Sequence, residues 1–248
     1  VFTLLGGTLL AVSANVLNQI FEIETDRLME RTANRPLVTG EINKKSAYVY
    51  STSLGLVGFL VLYTQTTELA AFIALSANIF YSFIYTLVLK PRTNQNIVIG
   101  GAAGAAPVLI GWSATGTNLD TGSWLLFLLV FLWTPAHFWA LSIDKLNDYK
   151  DANFPMLPTQ ESYKRTSIFI GIYSCATVLT SLLLAPILQL GMVYLLLSLI
   201  FGLYLMYKSY QLYRKQIKAI SYFVFSNTYL AVIFLSMVAD IFITLSSI

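Results

Sequence analysis

Eight continuous apolar runs constrain this chain more than any other feature: 1–20, 46–64, 69–89, 97–112, 123–143, 166–185, 190–207 and 221–240. Each is near the roughly 20 residues with which an α-helix crosses a bilayer. In hydrocarbon the backbone must satisfy its own hydrogen bonds, so a spanning segment is a helix or part of a closed barrel. Barrel strands alternate apolar and polar residues; these runs do not, which excludes the barrel. Charge agrees, since only 11% of the residues are charged against about 25% in soluble domains. The expectation is an all-α membrane protein, a polytopic helical bundle of about eight transmembrane helices forming one domain over 1–248. The run from Val1 has no basic leader and no cleavage site, so it reads as a spanning helix rather than a signal peptide. Cys175 is the only cysteine, so no internal disulfide framework exists.

All 15 Lys and Arg residues fall in four connections. These hold Arg27 to Lys45, Lys90 and Arg92, Lys145 to Arg165, and Lys208 to Lys218, while the connections near 65–68, 113–122 and 186–189 hold none. Basic connections stay on the cytoplasmic side, so every second loop is an inner one. Nine of the 12 acids join them: Glu22, Glu24, Asp26, Glu30 and Glu41 in the first inner loop, Asp144, Asp148, Asp151 and Glu161 in the third. Charge of both signs on one face argues against nucleic acid, which selects unmixed basic charge. Membrane lipid is the expected surrounding partner, and Tyr207 to Lys218 reads either as an amphipathic stretch on anionic lipid or as topology alone.

Asn18, Glu22 and Asp26 are four residues apart, as are Asp144 and Asp148. Residues at that spacing share a helix face. Two such clusters on one membrane side, four helices apart, have the look of a repeated half. Hard oxygen ligands suit Mg²⁺, which takes one or two carboxylates plus substrate phosphates. Arg31, Arg35, Lys90 and Arg92 lie close in the chain and are suited to diphosphate oxygens. The competing reading of each cluster is a set of solvated ion pairs.

Gly100 to Pro107 is almost free of side-chain bulk, which serves either close helix packing or space for a bulky ligand. Pro107 and Pro135 are candidate kinks, and Asn78 and Asn96 need partners within the membrane. His137 is the only histidine and lies inside a span, in Trp133-Thr134-Pro135-Ala136-His137-Phe138-Trp139. Packing, iron ligation, a hydrogen bond to a carboxylate and general-base work all remain open for it. A bis-histidine site is excluded.

With these residues in view, the chain resembles the UbiA-type intramembrane prenyltransferase superfamily, marked by two acid-rich motifs. One resembles Asn18-x-x-x-Glu22-x-x-x-Asp26, with Glu where Asp is usual, and the other Asp144-x-x-x-Asp148. Within it the chain is most similar to the heme-farnesylating branch. The supporting stretches are Asp26 to Leu37, Leu89-Lys90-Pro91-Arg92-Thr93, Gly100 to Trp112, Pro135 to Leu141, Asp148-Tyr149 and Pro155-Met156-Leu157-Pro158. The resemblance implies a ninth helix ahead of Val1.

It further implies a Mg²⁺-dependent transfer of farnesyl from farnesyl diphosphate to a heme B vinyl group, with water added at the adjoining carbon. Asn18, Glu22, Asp26, Asp144 and Asp148 would hold the metal, with Glu22, Asp26 and Asp148 as the catalytic acids. Asn18, Arg31, Arg35, Lys90, Arg92, His137 and Tyr149 would bind substrate, His137 positioning the heme. Heme B is then a substrate and not a cofactor. Downstream partners would be proteins of heme A formation or oxidase assembly, and the setting a bacterial plasma membrane. The rivals are an aromatic acceptor such as 4-hydroxybenzoate, a transporter, and a non-catalytic heme-handling subunit.

Overall fold

The computed structural model describes residues 1–246. Among them are eight helices long and apolar enough to cross a membrane, one on each apolar run. The chain sorts into two compact units, Val1–Leu119 with Leu146–Thr159, and Asp120–Lys145 with Gln160–Ile248.

The first unit holds α1 (Phe2–Phe21), α2 (Lys44–Gln65), α3 (Glu68–Arg92) and α4 (Asn96–Ser113). They pack in a ring, each on the next and α4 back on α1. Asn43 and Thr67 start α2 and α3 by accepting from the amides of Ser46 and Ala70, which satisfies donors that a helix start leaves unpaired. Within α3 the winding widens to π-helical over Phe80–Leu89. Two polar side chains inside the membrane find partners across helices. Ser51 Oγ donates to Ser13 O at 2.9 Å, and Asn78 Nδ2 to Leu10 O at 2.8 Å.

α1 and α2 approach almost backbone to backbone. A Cβ added at Gly58 would lie 2.9 Å from Gly6 O and 3.0 Å from Leu10 N. Neither atom belongs to a flexible side chain. Gly58→Ala is therefore expected to cost about 1–3 kcal/mol through forced overpacking, whereas Gly104→Ala, with nothing within 4 Å of its Cβ, should cost nothing. Unfolding of the two variants in detergent micelles checks the contrast. The small-residue run thus divides: Gly100 seats the Tyr85 ring, which an added Cβ would strike, while Gly104 faces open space.

The second unit holds α5 (Thr121–Asp144), α6 (Tyr163–Ile187), α7 (Met192–Tyr213) and α8 (Ala219–Ser246). It also closes as a ring, α5 on α6, α6 on α7, α7 on α8 and α8 on α5. Asp120 and Ser123 form a reciprocal cap that starts α5. α7 runs on to Tyr213, beyond its expected end at 207, and Lys208 Nζ within that extension lies 5.5 Å from the Tyr204 ring. Buried hydroxyls tie the ring together: Tyr194 OH donates to Ser181 O at 2.7 Å and Tyr229 OH to Ser181 Oγ at 2.8 Å. Asp240, buried in α8, accepts from the amide of Gly191 and at 3.5 Å from that of Tyr194, the start of α7. This intramembrane acid is thereby accounted for as a cap.

Pro107 and Pro135 sit inside α4 and α5, which run through them. The outward faces of both units carry exposed large apolar residues, among them Leu56, Leu60, Ile172, Leu183, Leu203 and Leu235. In water such surfaces associate; in a bilayer they meet acyl chains. The chain is an integral membrane protein.

Candidate active site

α1 stops at Phe21, and a short turn, Ile23–Asp26, follows. Glu22 lies between them with φ −103° and ψ 13°. The single helix face expected for Asn18, Glu22 and Asp26 is thus interrupted at its middle member. The hydrogen bonds nevertheless keep the four-residue step, Glu22 N donating to Asn18 O at 3.0 Å and Asp26 N to Glu22 O at 2.7 Å. All three side chains remain buried.

Each polar side chain has a defined neighbour. Lys90 Nζ lies 2.6 Å from the Glu22 carboxylate. Arg35 Nη1 donates to Asp26 Oδ2 at 2.5 Å. Asn18 Nδ2 donates to Thr86 Oγ1 at 3.1 Å, which leaves Oδ1 as its acceptor. The wide winding of α3 turns Thr86 to this duty, its own proton going to Tyr81 O five residues back. Thr32 Oγ1 donates to Asp26 O at 2.8 Å, folding the 27–35 loop back so that Arg35 returns to the acid. Charges removed from water are tolerated only when paired, and here both are.

The 146–159 segment completes this unit. Lys90 Nζ sits 4.5 Å from the Phe154 ring centroid, a cation over an aromatic face. Phe154 packs in one apolar cluster with Met29, Ile97, Tyr149, Ala152 and Met156. Tyr149, expected to bind substrate, is seated in that cluster.

The second acid motif repeats the interruption of the first. α5 ends at Asp144, Lys145 departs from helical geometry with φ −104° and ψ 32°, and a turn restarts over Leu146–Asp151. Asp144 and Asp148 therefore do not share one continuous helix. Asp148 belongs to the first unit, with Asn18, Glu22 and Asp26, and Asp144 to the second, where Lys145 Nζ lies 3.6 Å from it. Arg31 and Arg92 are exposed.

The donors suit Mg²⁺ in kind: two carboxylates and an amide oxygen at one helix end, all hard oxygens. Among the described residues no three His, Cys, Asp or Glu side chains gather as a metal-holding group; Glu22 and Asp26 are each paired with a cation. Mg²⁺ normally takes one or two carboxylates and fills its shell with water and phosphate oxygens, and the two acids meet that requirement.

In the second unit His137 is sandwiched. The Trp133 and Phe223 rings stack on it at 4.1 and 4.2 Å, within 22° and 24° of parallel. Its Nδ1 lies 2.7 Å from Ser226 Oγ, and Trp133 Nε1 donates to Ser226 O at 2.9 Å. Trp133 is four residues from His137 and readable from spacing. Thr86, Phe154, Phe223 and Ser226 carry no sequence signal, each being an ordinary residue of an apolar run or loop.

Residues 1–238 match a known family. The chain belongs to the UbiA prenyltransferase family. Relatives of this UbiA chain are named protoheme IX farnesyltransferase. That of Thermus thermophilus is 42% identical over 238 residues, 95% of this chain and 39% of that protein, so the chain spans under half the length of this relative. That of a Synechococcus strain is 44% identical over 232 residues, 92% of this chain and 70% of that protein. Among solved structures, one concerning digeranylgeranylglyceryl phosphate synthase in membranes has a TM-score of 0.80 at 22% identity, covering 96% of this chain and 84% of that one. A UbiA homologue from Archaeoglobus fulgidus bound to GPP and Mg²⁺ has a TM-score of 0.65 at 17% identity, covering 95% and 86%. At these identities the likeness establishes the UbiA fold.

Proposed function

We propose that this UbiA-family chain, acting as one prenyltransferase domain, transfers a farnesyl group from farnesyl diphosphate to a vinyl group of heme B. The observation that carries the diphosphate substrate is the pairing of two buried carboxylates, Glu22 and Asp26, with two cations, Lys90 and Arg35. A metal diphosphate offers each partner a replacement: the acids face the cation, and the cations face diphosphate oxygens. The A. fulgidus homologue bound to GPP and Mg²⁺ supports the metal, and the names of the relatives support heme as acceptor.

Asn18, Glu22 and Asp26, together with Asp148 of the same unit, would hold Mg²⁺, which supplies positive charge to the departing diphosphate. Lys90 and Arg35 turn to its oxygens, and the exposed Arg31 and Arg92 are free to join them. Their fixed charges stabilise the negative charge that grows as the allylic C–O bond breaks, the electron pair leaving with the diphosphate. The vinyl π pair then forms the new C–C bond, and water adds to the cation left beside the porphyrin with loss of a proton. His137 is the acceptor's residue. The acid-bearing loops lie on the cytoplasmic side of a bacterial plasma membrane in this reading, and the product passes to proteins that mature heme or assemble oxidases.

Mass spectrometry of heme extracted from membranes bearing the protein, incubated with heme B, farnesyl diphosphate and Mg²⁺, tests this. The expected result is a gain of one farnesyl and one hydroxyl group, lost with EDTA. Unchanged heme together with prenylated 4-hydroxybenzoate would replace the acceptor and leave the family standing.

A further inference from the structure

We propose that Nε2 of His137 is the axial ligand of the heme iron, and that Ser226 is the positioning residue that keeps the lone pair of that nitrogen free. This rests on heme being the acceptor, and it assigns the contact that acceptor makes.

Two rings whose centroids lie 4.1 and 4.2 Å from the imidazole, both near parallel to it, are too large to share one face. Trp133 therefore covers one face and Phe223 the other. Interactions left to the imidazole lie in its plane, at its two nitrogens.

Nδ1 is taken by Ser226 Oγ at 2.7 Å. A serine hydroxyl has one proton to give. Ser226 Oγ also lies 2.7 Å from the backbone oxygen of Phe223, which can only accept, so the serine proton goes there. Oγ can then only accept from the ring, and Nδ1 must carry the hydrogen. In a neutral imidazole this leaves Nε2 bare. Nε2 has no hydrogen-bond partner among the described residues.

That tautomer separates the roles open to the ring. A bare nitrogen has no hydrogen to give, so it does not hydrogen-bond a propionate carboxylate. It can ligate a metal or accept a proton. Metal-bound histidines characteristically donate the other ring N–H to a fixed acceptor, which sets tautomer and ring orientation, and this is the arrangement here. Trp133 Nε1 donates to Ser226 O at 2.9 Å, so the residue covering one face is tied to the helical turn that holds the nitrogen.

Ferric heme and metal-free protoporphyrin IX, titrated separately into the full chain in detergent micelles and followed by optical absorption, test the assignment. The wild type should bind heme with a shifted Soret band and prefer it to the metal-free porphyrin by at least about tenfold. His137→Ala should lose both the shift and the preference, and added imidazole should restore the shift in His137→Gly. Ser226→Ala should weaken heme about 10–100-fold, the usual cost of losing a partner of a metal-bound histidine, with the metal-free porphyrin unaffected; Ser226→Thr, which keeps the hydroxyl, should retain wild-type binding. Farnesyl diphosphate binding by the same variants reports that they are folded. Equal affinity for the two porphyrins, or an unchanged Soret band in a folded His137→Ala, overturns iron ligation even where heme is farnesylated and the proposed function holds. A folded wild type that binds no heme and leaves it unmodified overturns both.

Discussion

Lys90→Met is expected to destabilise the protein by about 3 kcal/mol, the lower end of the cost of leaving one partner of a buried ion pair uncompensated. The Glu22 side chain is 7% exposed and that of Lys90 16%, so an orphaned carboxylate has little water to turn to. The two residues are 68 positions apart, and their pairing ties the end of α1 to the end of α3. Adding Glu22→Gln should return most of the lost stability, since the double variant buries no unpaired charge. It should not return diphosphate binding, because neither the metal-facing acid nor the oxygen-facing cation remains. Denaturant unfolding in micelles and binding of farnesyl diphosphate read the two effects separately. A single variant as stable as the wild type would remove the pair from the account of how this turn is held.

Asp26→Ala should behave in the opposite way, with little change in stability and turnover lowered by about a thousandfold or more, the scale on which preorganised electrostatic groups act. Its partner Arg35 is 27% exposed on its side chain and can turn to water when the acid is removed. Asp148→Ala should fall as far, and Asp26→Asn, which keeps the shape without the charge, should not recover. Product formation by mass spectrometry, normalised to inserted protein, is the measurement. Full activity in a well-inserted Asp26→Ala would end the proposed metal role of this residue.

The contrast between these variants was only half readable in the sequence. Glu22, Asp26, Arg35 and Lys90 were all identifiable as site candidates, because acids four residues apart at the edge of an apolar run are a local pattern. Sequence position alone points Lys90 and Arg35 to diphosphate oxygens, and the structure seats them on the carboxylates first. Nothing local connects Lys90 to Glu22; that pairing exists because α3 packs on α1. The helix breaks at Glu22 and Lys145 were equally unreadable, since both lie within stretches of ordinary helix formers.

The sequence by itself determined the spans, the clustering of charge in alternate loops and the two acid motifs. Hydrophobicity and spacing are properties of covalent neighbours, and a bilayer leaves a continuous apolar segment no choice but the helix. Only the tertiary structure decided which unit each motif belongs to. It parted Asp144 from Asp148 at a single non-helical residue, gave Gly100 to Tyr85 while leaving Gly104 open, and placed Ser226 and Phe223 on His137 from 89 and 86 positions away. Such contacts depend on which helix faces pack together, and that is settled by the fit of side chains distant along the chain.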